Sequence, residues 1–188
     1  MATLRRYSAS ASDTAGAGHE PHSRTTPGSD EETREQENGM TDSEQIVRRA
    51  YQIAEDMDMA AWSAAFTEDG TFTDMSIGVT WKGPRELPEQ VENYHRAFPD
   101  MHRELYHVYV SGNVVVVQLA LQGTHLGPLW LPAGTLPATG KKMDAPCCDV
   151  FELVGDKIKR FDCYPEGTIA LTQLGVLGNL GAAVTAPA

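Results

Sequence analysis

The chain has 188 residues, of which 41% are hydrophobic and 22% charged, so it can form one globular domain with a sizeable core. Its formal net charge is -11, from 26 acidic and 15 basic side chains. This balance argues against nucleic acid or an anionic membrane as the main partner, because both need a basic surface. No apolar run in the sequence is long enough to span a bilayer.

The three cysteines, Cys147, Cys148 and Cys163, do not have the spacing of a disulfide framework or of a zinc site. We interpret them as free thiols in a reducing compartment. No secretory signal is visible, so we expect a cytoplasmic protein.

The first part of the chain differs in composition from the rest. Residues 1–40 are rich in Ser, Thr, Gly and Glu, with almost no apolar residue after Tyr7. Such a segment cannot bury enough surface to offset the entropy lost on ordering. We therefore predict a disordered tail over residues 1–40, a folded α+β barrel domain over residues 41–180 and a frayed tail over residues 181–188.

Helical patterns dominate the start of the predicted domain. Residues 41–44 have the spacing of a capping box, and apolar residues then recur at helical spacing over residues 46–54. Asp58 can cap a second, short helix that carries Trp62 and Phe66.

A turn at residues 68–70 and a short strand at residues 71–75 are predicted next, with Asp74 near the strand's end. Residues 83–84, Gly-Pro, begin a third helix that Pro99 ends.

From that point the apolar pattern has a period of two. Strands are predicted at residues 105–110 and 114–122, a long loop at residues 123–142 and a β-hairpin at residues 145–165. A last helical turn ends at Gly175. Helices followed by antiparallel strands predict an α+β fold, with the helices packed on one face of the sheet.

The register of the hairpin decides which side chains share a face. A two-residue turn at Gly155 and Asp156 would place Asp149 across from Asp162. A three-residue loop with a bulge would instead place Asp149 on the face of Phe161 and Cys163. We favour the second register because it pairs apolar residues with apolar residues.

In that register the charged residues of the hairpin divide between its two faces. Glu152, Arg160 and Asp162 lie on the polar face, where solvated charges and weak ion pairs are expected. Asp149 lies mid-strand on the apolar face, where its carboxyl group needs hydrogen bonds or a raised pKa. Such a group can act as an acid or base near neutral pH, although a purely structural Asp is the alternative.

Several short motifs resemble the SnoaL-like polyketide cyclase family over residues 41–175. They lie in the same order and spacing as in that family. The motifs are residues 66–70 (Phe-Thr-Glu-Asp-Gly), 81–84 (Trp-Lys-Gly-Pro), 98–100 (Phe-Pro-Asp), 123–127 (Gly-Thr-His-Leu-Gly), 138–141 (Ala-Thr-Gly-Lys) and 173–175 (Gln-Leu-Gly).

The resemblance implies a cone-shaped α+β fold that is also found in nuclear transport factor and ketosteroid isomerase. In this fold a curved, mixed or antiparallel sheet, with helices on its concave side, encloses a deep apolar pocket. The resemblance further implies a homodimer, a small hydrophobic substrate and acid–base chemistry without a metal or an organic cofactor. In the cyclases that chemistry is an intramolecular aldol closure. The family's catalytic aspartate falls on Cys163 and its assisting histidine on Asp149, so the sequence departs from the cyclase pattern.

Other residues are candidates for the same site. His125 lies in the glycine-flanked loop expected near the pocket mouth, where it could move protons or only bond the backbone. Asp74 could point inward or cap a turn, and Cys163 is interpreted as a pocket wall. Aromatic residues could form walls for a flat polycyclic substrate, or belong to the core; they are Trp62, Phe66, Trp130, Phe151 and Phe161.

Two functions are consistent with these features. The first is a cofactor-independent enzyme, cyclase-like or isomerase-like, with Asp149 as acid or base on a polyketide-like or polycyclic carbonyl compound. The second is a non-catalytic module that binds a small molecule or forms a dimer, because a fold does not determine a function.

Overall fold

A computed structural model describes the backbone of residues 29–178 and the side chains of residues 42–178, in which four helices and eight strands are found. In chain order they are α1 (Ser29–Glu55), α2 (Met59–Ala64), β1 (Phe66–Asp74), β2 (Val79–Lys82), α3 (Gly83–Ala97), β3 (His102–Ser111), β4 (Val114–Thr124), β5 (Leu129–Leu131), β6 (Gly134–Leu136), β7 (Lys142–Val154), β8 (Lys157–Pro165) and α4 (Gly167–Gln173).

Six of these strands form one open sheet in the order β2-β1-β8-β7-β4-β3. All neighbours are antiparallel except β1 and β8, which run parallel. The predicted α+β class with a mixed, mostly antiparallel sheet is confirmed. The sheet has two free edges, β2 and β3, so it does not close into a barrel.

The helices cover the face of the sheet that carries the apolar side chains. An aromatic cluster fills the centre of this layer: Phe161 stacks on Phe151 at 4.2 Å and on Phe72 at 4.5 Å between ring centroids. Trp62 of α2 meets the edges of these rings, and its indole N–H donates to the carbonyl of Leu87 at 3.0 Å. Full burial of such side chains contributes roughly 1.5–3 kcal/mol each.

Helix α1 begins at Ser29, well before the predicted start near residue 41. The predicted disordered tail therefore overlaps a helix over residues 29–40, and its first 28 residues lie outside the described part of the chain. Residues 30–32, Asp-Glu-Glu, occupy the first turn, where negative charge stabilises a helix. No helix within residues 29–178 is both long and apolar enough to cross a membrane.

The turn predicted at residues 68–70 lies within the range of β1, and the strand is not extended there. From Phe66 to Thr71 the chain advances five residues while its partner β8 advances two, from Ile158 to Arg160, so three residues of β1 form an irregular segment that leaves the regular pairing. A Cβ atom at Gly70 would come within 2.9 Å of the Phe66 side chain and of the Thr67 carbonyl oxygen. The glycine permits this close approach, and in the sequence it has the same appearance as a turn glycine.

In the β7–β8 hairpin Asp149 faces the predicted residues, but the turn differs from the predicted one. The turn contains two residues, since Val154 pairs with Lys157, and a bulge follows in β8. The bulge shifts the register by one residue at Lys159 and brings Asp149 opposite Cys163. The side-chain faces are therefore as predicted, whereas the three-residue loop is not formed.

The long loop predicted at residues 123–142 contains a small hairpin of β5 and β6. Its strands are only three residues long, which is below the length at which alternation is recognisable in a sequence. The predicted ends of α3 and α4 are confirmed near Ala97 and Gln173.

Candidate active site

Three strands place acidic and thiol side chains in one row on the inner face of the sheet. Asp74 of β1 pairs with Cys163 of β8, which in turn pairs with Asp149 of β7. Cys147 lies two residues before Asp149, so it shares the same face. All four side chains are at most 7% exposed. The paired strands therefore hold this row on the sheet face that the helices cover.

The carboxylate of Asp149 is fully engaged by neighbouring donors. The Tyr51 hydroxyl of α1 donates to Oδ2 at 2.8 Å, and the Cys147 thiol donates to Oδ1 at 3.2 Å. The Sγ atoms of Cys147 and Cys163 are 3.5 Å apart. The predicted position of Asp149 on the apolar face is confirmed by its 1% exposure.

Burial controls the protonation of this cluster. Desolvation raises the pKa of Asp149 even though hydrogen bonds from Cys163, Tyr51 and Cys147 oppose the shift. The pKa of Tyr51 is well above its usual value because of burial and the nearby Asp149 carboxylate. The hydrogen bond with Cys147, burial and Asp149 together raise the pKa of Cys163 strongly.

Asp149 and Cys163 line a small cavity of about 30 Å³, enough for one or two water molecules. The predicted wall residues Trp62 and Phe161 lie on the same cavity. The predicted wall residues Phe66 and Phe151 are instead packed in the aromatic core behind it.

A larger pocket of about 370 Å³ lies next to this cavity. Its wall is mostly apolar and comes from α3, the inner strands and α4. Tyr94 and Leu121 line both spaces, so they form the partition between them. The other main apolar lining residues are Phe98, Leu129, Leu131, Met143, Leu171 and Leu174. This volume and lining are typical of small-molecule sites.

Asp74 is the second buried acid of the site, and both alternatives predicted for it occur, because its Oδ2 points inward while its Oδ1 caps the turn at Ser76. Its Oδ2 accepts from Gln90 at 2.8 Å and from the Tyr94 hydroxyl at 3.1 Å. Its Oδ1 accepts from the backbone N–H and the hydroxyl of Ser76 at 3.0 and 2.7 Å. Because Ser76 and Tyr94 both line the larger pocket, Asp74 fixes two hydroxyl groups at the pocket wall.

His125 does not reach the Asp149 cluster. It stacks on Phe98 at 5.1 Å and has no exposed surface. Its Nδ1 accepts from the backbone N–H of Thr139 at 3.3 Å, which assigns the ring proton to Nε2. Nε2 is buried without a partner within the described residues, and burial lowers the pKa of the ring. His125 therefore lies behind the pocket wall that Phe98 forms.

Trp130 is also separate from the row of acids. It is 43% exposed, and its backbone exchanges two hydrogen bonds with the side chain of Asn93 at 3.0 and 3.1 Å. Together with Trp81 and Arg96 it lines a different surface groove of about 250 Å³.

Sequence reasoning missed Tyr51, Tyr94 and Cys147 as site residues. Both tyrosines lie among apolar residues at helical spacing, a pattern that indicates a core-facing side chain. A buried tyrosine hydroxyl needs a hydrogen-bond partner, and so does a buried carboxylate. That complementary need is the signal that could have paired these tyrosines with Asp149 and Asp74.

The same cluster contains atoms that can ligate a metal. One ligand atom each from Cys147, Asp149 and Cys163 lies within 4.8 Å of the others. All three residues are buried.

Comparison with known proteins agrees with the fold. The family model described as a SnoaL-like domain matches residues 47–161. The search of curated proteins finds no match.

Solved structures are similar over most of the described chain. A proposed SnoaL-like polyketide cyclase from Jannaschia sp. CCS1 has a TM-score of 0.65 and 19% identity, with 81% of this chain and 97% of that chain covered. AclR from Streptomyces galilaeus, a proposed hydroxylase, has a TM-score of 0.61 and 16% identity over 73% and 98% of the two chains. A ketosteroid isomerase-like protein from Catenulispora acidiphila, in complex with trimethylamine, has a TM-score of 0.60 and 20% identity over 75% and 97%. At these identities the likeness concerns the fold alone.

Proposed function

The chain belongs to the SnoaL-like domain family, and on that basis we propose that it is a cofactor-independent acid–base enzyme that acts on a small hydrophobic carbonyl compound. Membership of this family suggests a cyclase-like or isomerase-like role. The compound would be polyketide-like or polycyclic, and Asp149 would be the acid or base.

The observation that supports this proposal is the state of Asp149. Its carboxyl group is 1% exposed, and burial raises its pKa. A carboxyl group that titrates closer to neutral pH can both accept and return a proton during turnover. The Tyr51 hydroxyl donates a hydrogen bond to the Asp149 carboxylate at 2.8 Å and so orients it.

The larger pocket gives the substrate a place beside the acid. Its volume of about 370 Å³ and its apolar wall fit a compact hydrophobic molecule. Tyr94 and Ser76 line this pocket and donate their hydroxyl protons to Asp74, so their oxygen atoms can accept hydrogen bonds from a substrate hydroxyl group. A substrate that displaces the Tyr94 and Leu121 side chains would reach the Asp149 cavity.

The test measures proton abstraction directly and does not require the product of the full reaction to be identified. A panel of polycyclic ketones and polyketide esters is incubated with the protein in D₂O, and exchange at the carbon next to the carbonyl is followed by NMR. We expect exchange with the wild type and none with Asp149→Asn. Asp162→Asn is the matched control, because Asp162 lies on the opposite face of the hairpin and pairs with Arg160 at 3.3 Å. Equal exchange by wild type and Asp149→Asn would refute the role of Asp149.

A second candidate function is a non-catalytic module that binds a small molecule. It is favoured by the size of the space at Asp149, about 30 Å³, and by the position of the larger pocket beyond Tyr94. In that case compounds of the panel bind, no exchange occurs, and Asp149→Asn leaves their affinity unchanged. The homodimer and the cytoplasmic location stay predictions from the sequence and can be tested by sedimentation and by fractionation.

A further inference from the structure

Two thiols and one carboxylate meet in the buried row described above. The Sγ atoms of Cys147 and Cys163 are 3.5 Å apart, and Sγ of Cys147 is 3.2 Å from Oδ1 of Asp149. The three residues lie on the paired strands β7 and β8, so the backbone fixes their spacing. Cys148, the next residue, points to the other face of the sheet and takes no part.

These distances suit a metal ion with tetrahedral coordination. Zinc binds thiolate sulfur at about 2.3 Å, so two sulfurs of one tetrahedral site are about 3.8 Å apart. The two Sγ atoms would need to separate by only a few tenths of an ångström from their 3.5 Å spacing. Asp149 Oδ1 completes a set of three protein ligands whose atoms lie within 4.8 Å of one another.

The surroundings supply the remaining parts of a metal site. Tyr51 donates to Oδ2, the carboxylate oxygen that Cys147 leaves free, and so orients Oδ1 as a second-layer hydrogen bond does in known zinc sites. The cavity of about 30 Å³ beside Asp149 and Cys163 can hold a water molecule as the fourth ligand.

The charges also favour a divalent cation. Two thiolates, one carboxylate and a divalent ion sum to one negative charge. Arg103 lines the same cavity, with its guanidinium carbon 5.9 Å from the Tyr51 ring centroid. It also pairs with Glu55 at 3.8 Å, so it offsets only part of that charge. Without an ion, burial raises the pKa of Asp149, and the hydrogen bond with Cys147, burial and Asp149 raise the pKa of Cys163.

We propose that Cys147, Asp149 and Cys163 form a binding site for a thiophilic divalent cation, with Zn²⁺ as the expected ion. Binding releases the thiol protons to solvent and leaves two sulfur ligands, one carboxylate ligand and one water. The ion is not part of the proposed reaction. It occupies Oδ1 of Asp149, so it inhibits any proton transfer by this residue.

The experiment uses Co²⁺ as a spectroscopic probe for Zn²⁺. The full-length, fully reduced protein is titrated with Co²⁺ without oxygen, both in the folded state and during refolding, so that slow entry to the buried site does not hide binding. We expect one Co²⁺ per chain, a thiolate-to-cobalt charge-transfer band, visible bands of tetrahedral cobalt, and loss of these bands when Zn²⁺ is added.

Matched variants assign the ligands. Cys147→Ser and Cys163→Ser should each lose the charge-transfer band, whereas Cys148→Ser should retain it. Tyr51→Phe keeps all three ligands and should weaken Co²⁺ binding about 10–100-fold. Circular dichroism checks that each variant is folded, and the wild-type titration is decisive even if a variant does not fold.

Two outcomes would overturn the site: no charge-transfer band in the wild type under either protocol, or a band that depends on Cys148. Neither outcome affects the proposed acid–base function, because the D₂O exchange assay is performed with a chelator present. Conversely, a protein that binds Co²⁺ but exchanges no substrate proton retains the metal site and loses the proposed function.

Discussion

Asp74 and Asp149 lie in register on the two strands that flank β8, one on each side of Cys163. The two acids differ in their surroundings. Four donors, two of them from Ser76, converge on Asp74, whereas Asp149 receives one hydroxyl and thiol groups. Their environments therefore give them different tasks: Asp74 holds the pocket hydroxyls in place, and Asp149 exchanges protons in the proposed reaction.

The raised pKa of Asp149 predicts that replacing its carboxyl group stabilises the folded protein by an amount that increases with pH. A carboxyl group with a raised pKa favours the folded state fully below its unfolded pKa of about 3.9, and this contribution is lost as pH rises through the folded pKa. Asp149→Asn should therefore gain stability relative to wild type across that window, by at most about 1.4 kcal/mol per pH unit. Chemical denaturation from about pH 3, below the unfolded pKa, to about pH 8 measures this difference.

Asp156→Asn is the control for that series, because Asp156 lies exposed in the hairpin turn. Its stability difference from wild type should stay nearly constant over the same pH range. A constant difference for Asp149→Asn as well would show that the buried carboxyl group does not titrate differently in the folded state.

Asp74→Asn should destabilise the protein. The amide offers one acceptor oxygen where the carboxylate offers two, and its NH₂ group faces the donors of Gln90 and Tyr94 or of Ser76. Buried donors left unpaired cost about 1–3 kcal/mol. Urea denaturation of this variant is compared with that of Asp144→Asn, whose exposed side chain takes one bond from Gln122. Equal stability of the two variants would contradict the importance of the Asp74 network.

Phe161→Ala should be among the most destabilising single changes. The ring is 5% exposed and stacks between Phe72 and Phe151, so its loss leaves a cavity that the strands cannot close. The expected cost is about 3–5 kcal/mol. Tyr164 also lies on β8, but its side chain is 43% exposed. Tyr164→Ala should therefore change stability by no more than about 0.5 kcal/mol. Thermal or urea denaturation measures both; a small effect of Phe161→Ala would mean that the aromatic cluster is not the core.

Ala170→Trp tests the larger pocket without touching either acid. Ala170 lines this pocket from α4, so the indole should fill part of the 370 Å³ space. We expect an apolar fluorescent probe to bind to wild type and to lose affinity at least about tenfold for this variant. Thr172→Trp places the same ring on an exposed position of α4 and should leave probe binding unchanged. Loss of affinity in both variants, or in neither, would place the probe elsewhere.

Much of the fold could be predicted from local patterns. The helical spacing of apolar residues located α2 and α3, although Phe66, expected on the second helix, is the first residue of β1. Asp58 caps α2 as expected by accepting from the N–H of Ala61 at 3.0 Å. The alternation in the hairpin located Asp149 on the buried face. These features depend on residues close in sequence, where the physical rules are strict.

The rest of the site depends on contacts between distant parts of the chain. Tyr51 and Asp149 are 98 residues apart, and no local pattern indicates that they meet. No local pattern indicates either that Tyr94 separates the Asp149 cavity from the larger pocket. Likewise, the position of His125 beneath Phe98 depends on how the end of β4 packs against α3, which its glycine-flanked sequence does not reveal.

The bulge at Lys159 decides which residue of β8 lies opposite Asp149. If Lys159 paired with Glu152 in a hairpin without a bulge, every later pair would shift by one residue, and Asp162 rather than Cys163 would lie opposite Asp149. Two carboxyl groups in such a position repel each other as anions and share a proton. Loss of the bulge alone would thus convert an acid–thiol site into an acid–acid pair without any substitution. A relative that lacked Lys159 would keep Asp149 opposite Cys163, so alignments of this segment need gap placement guided by strand register.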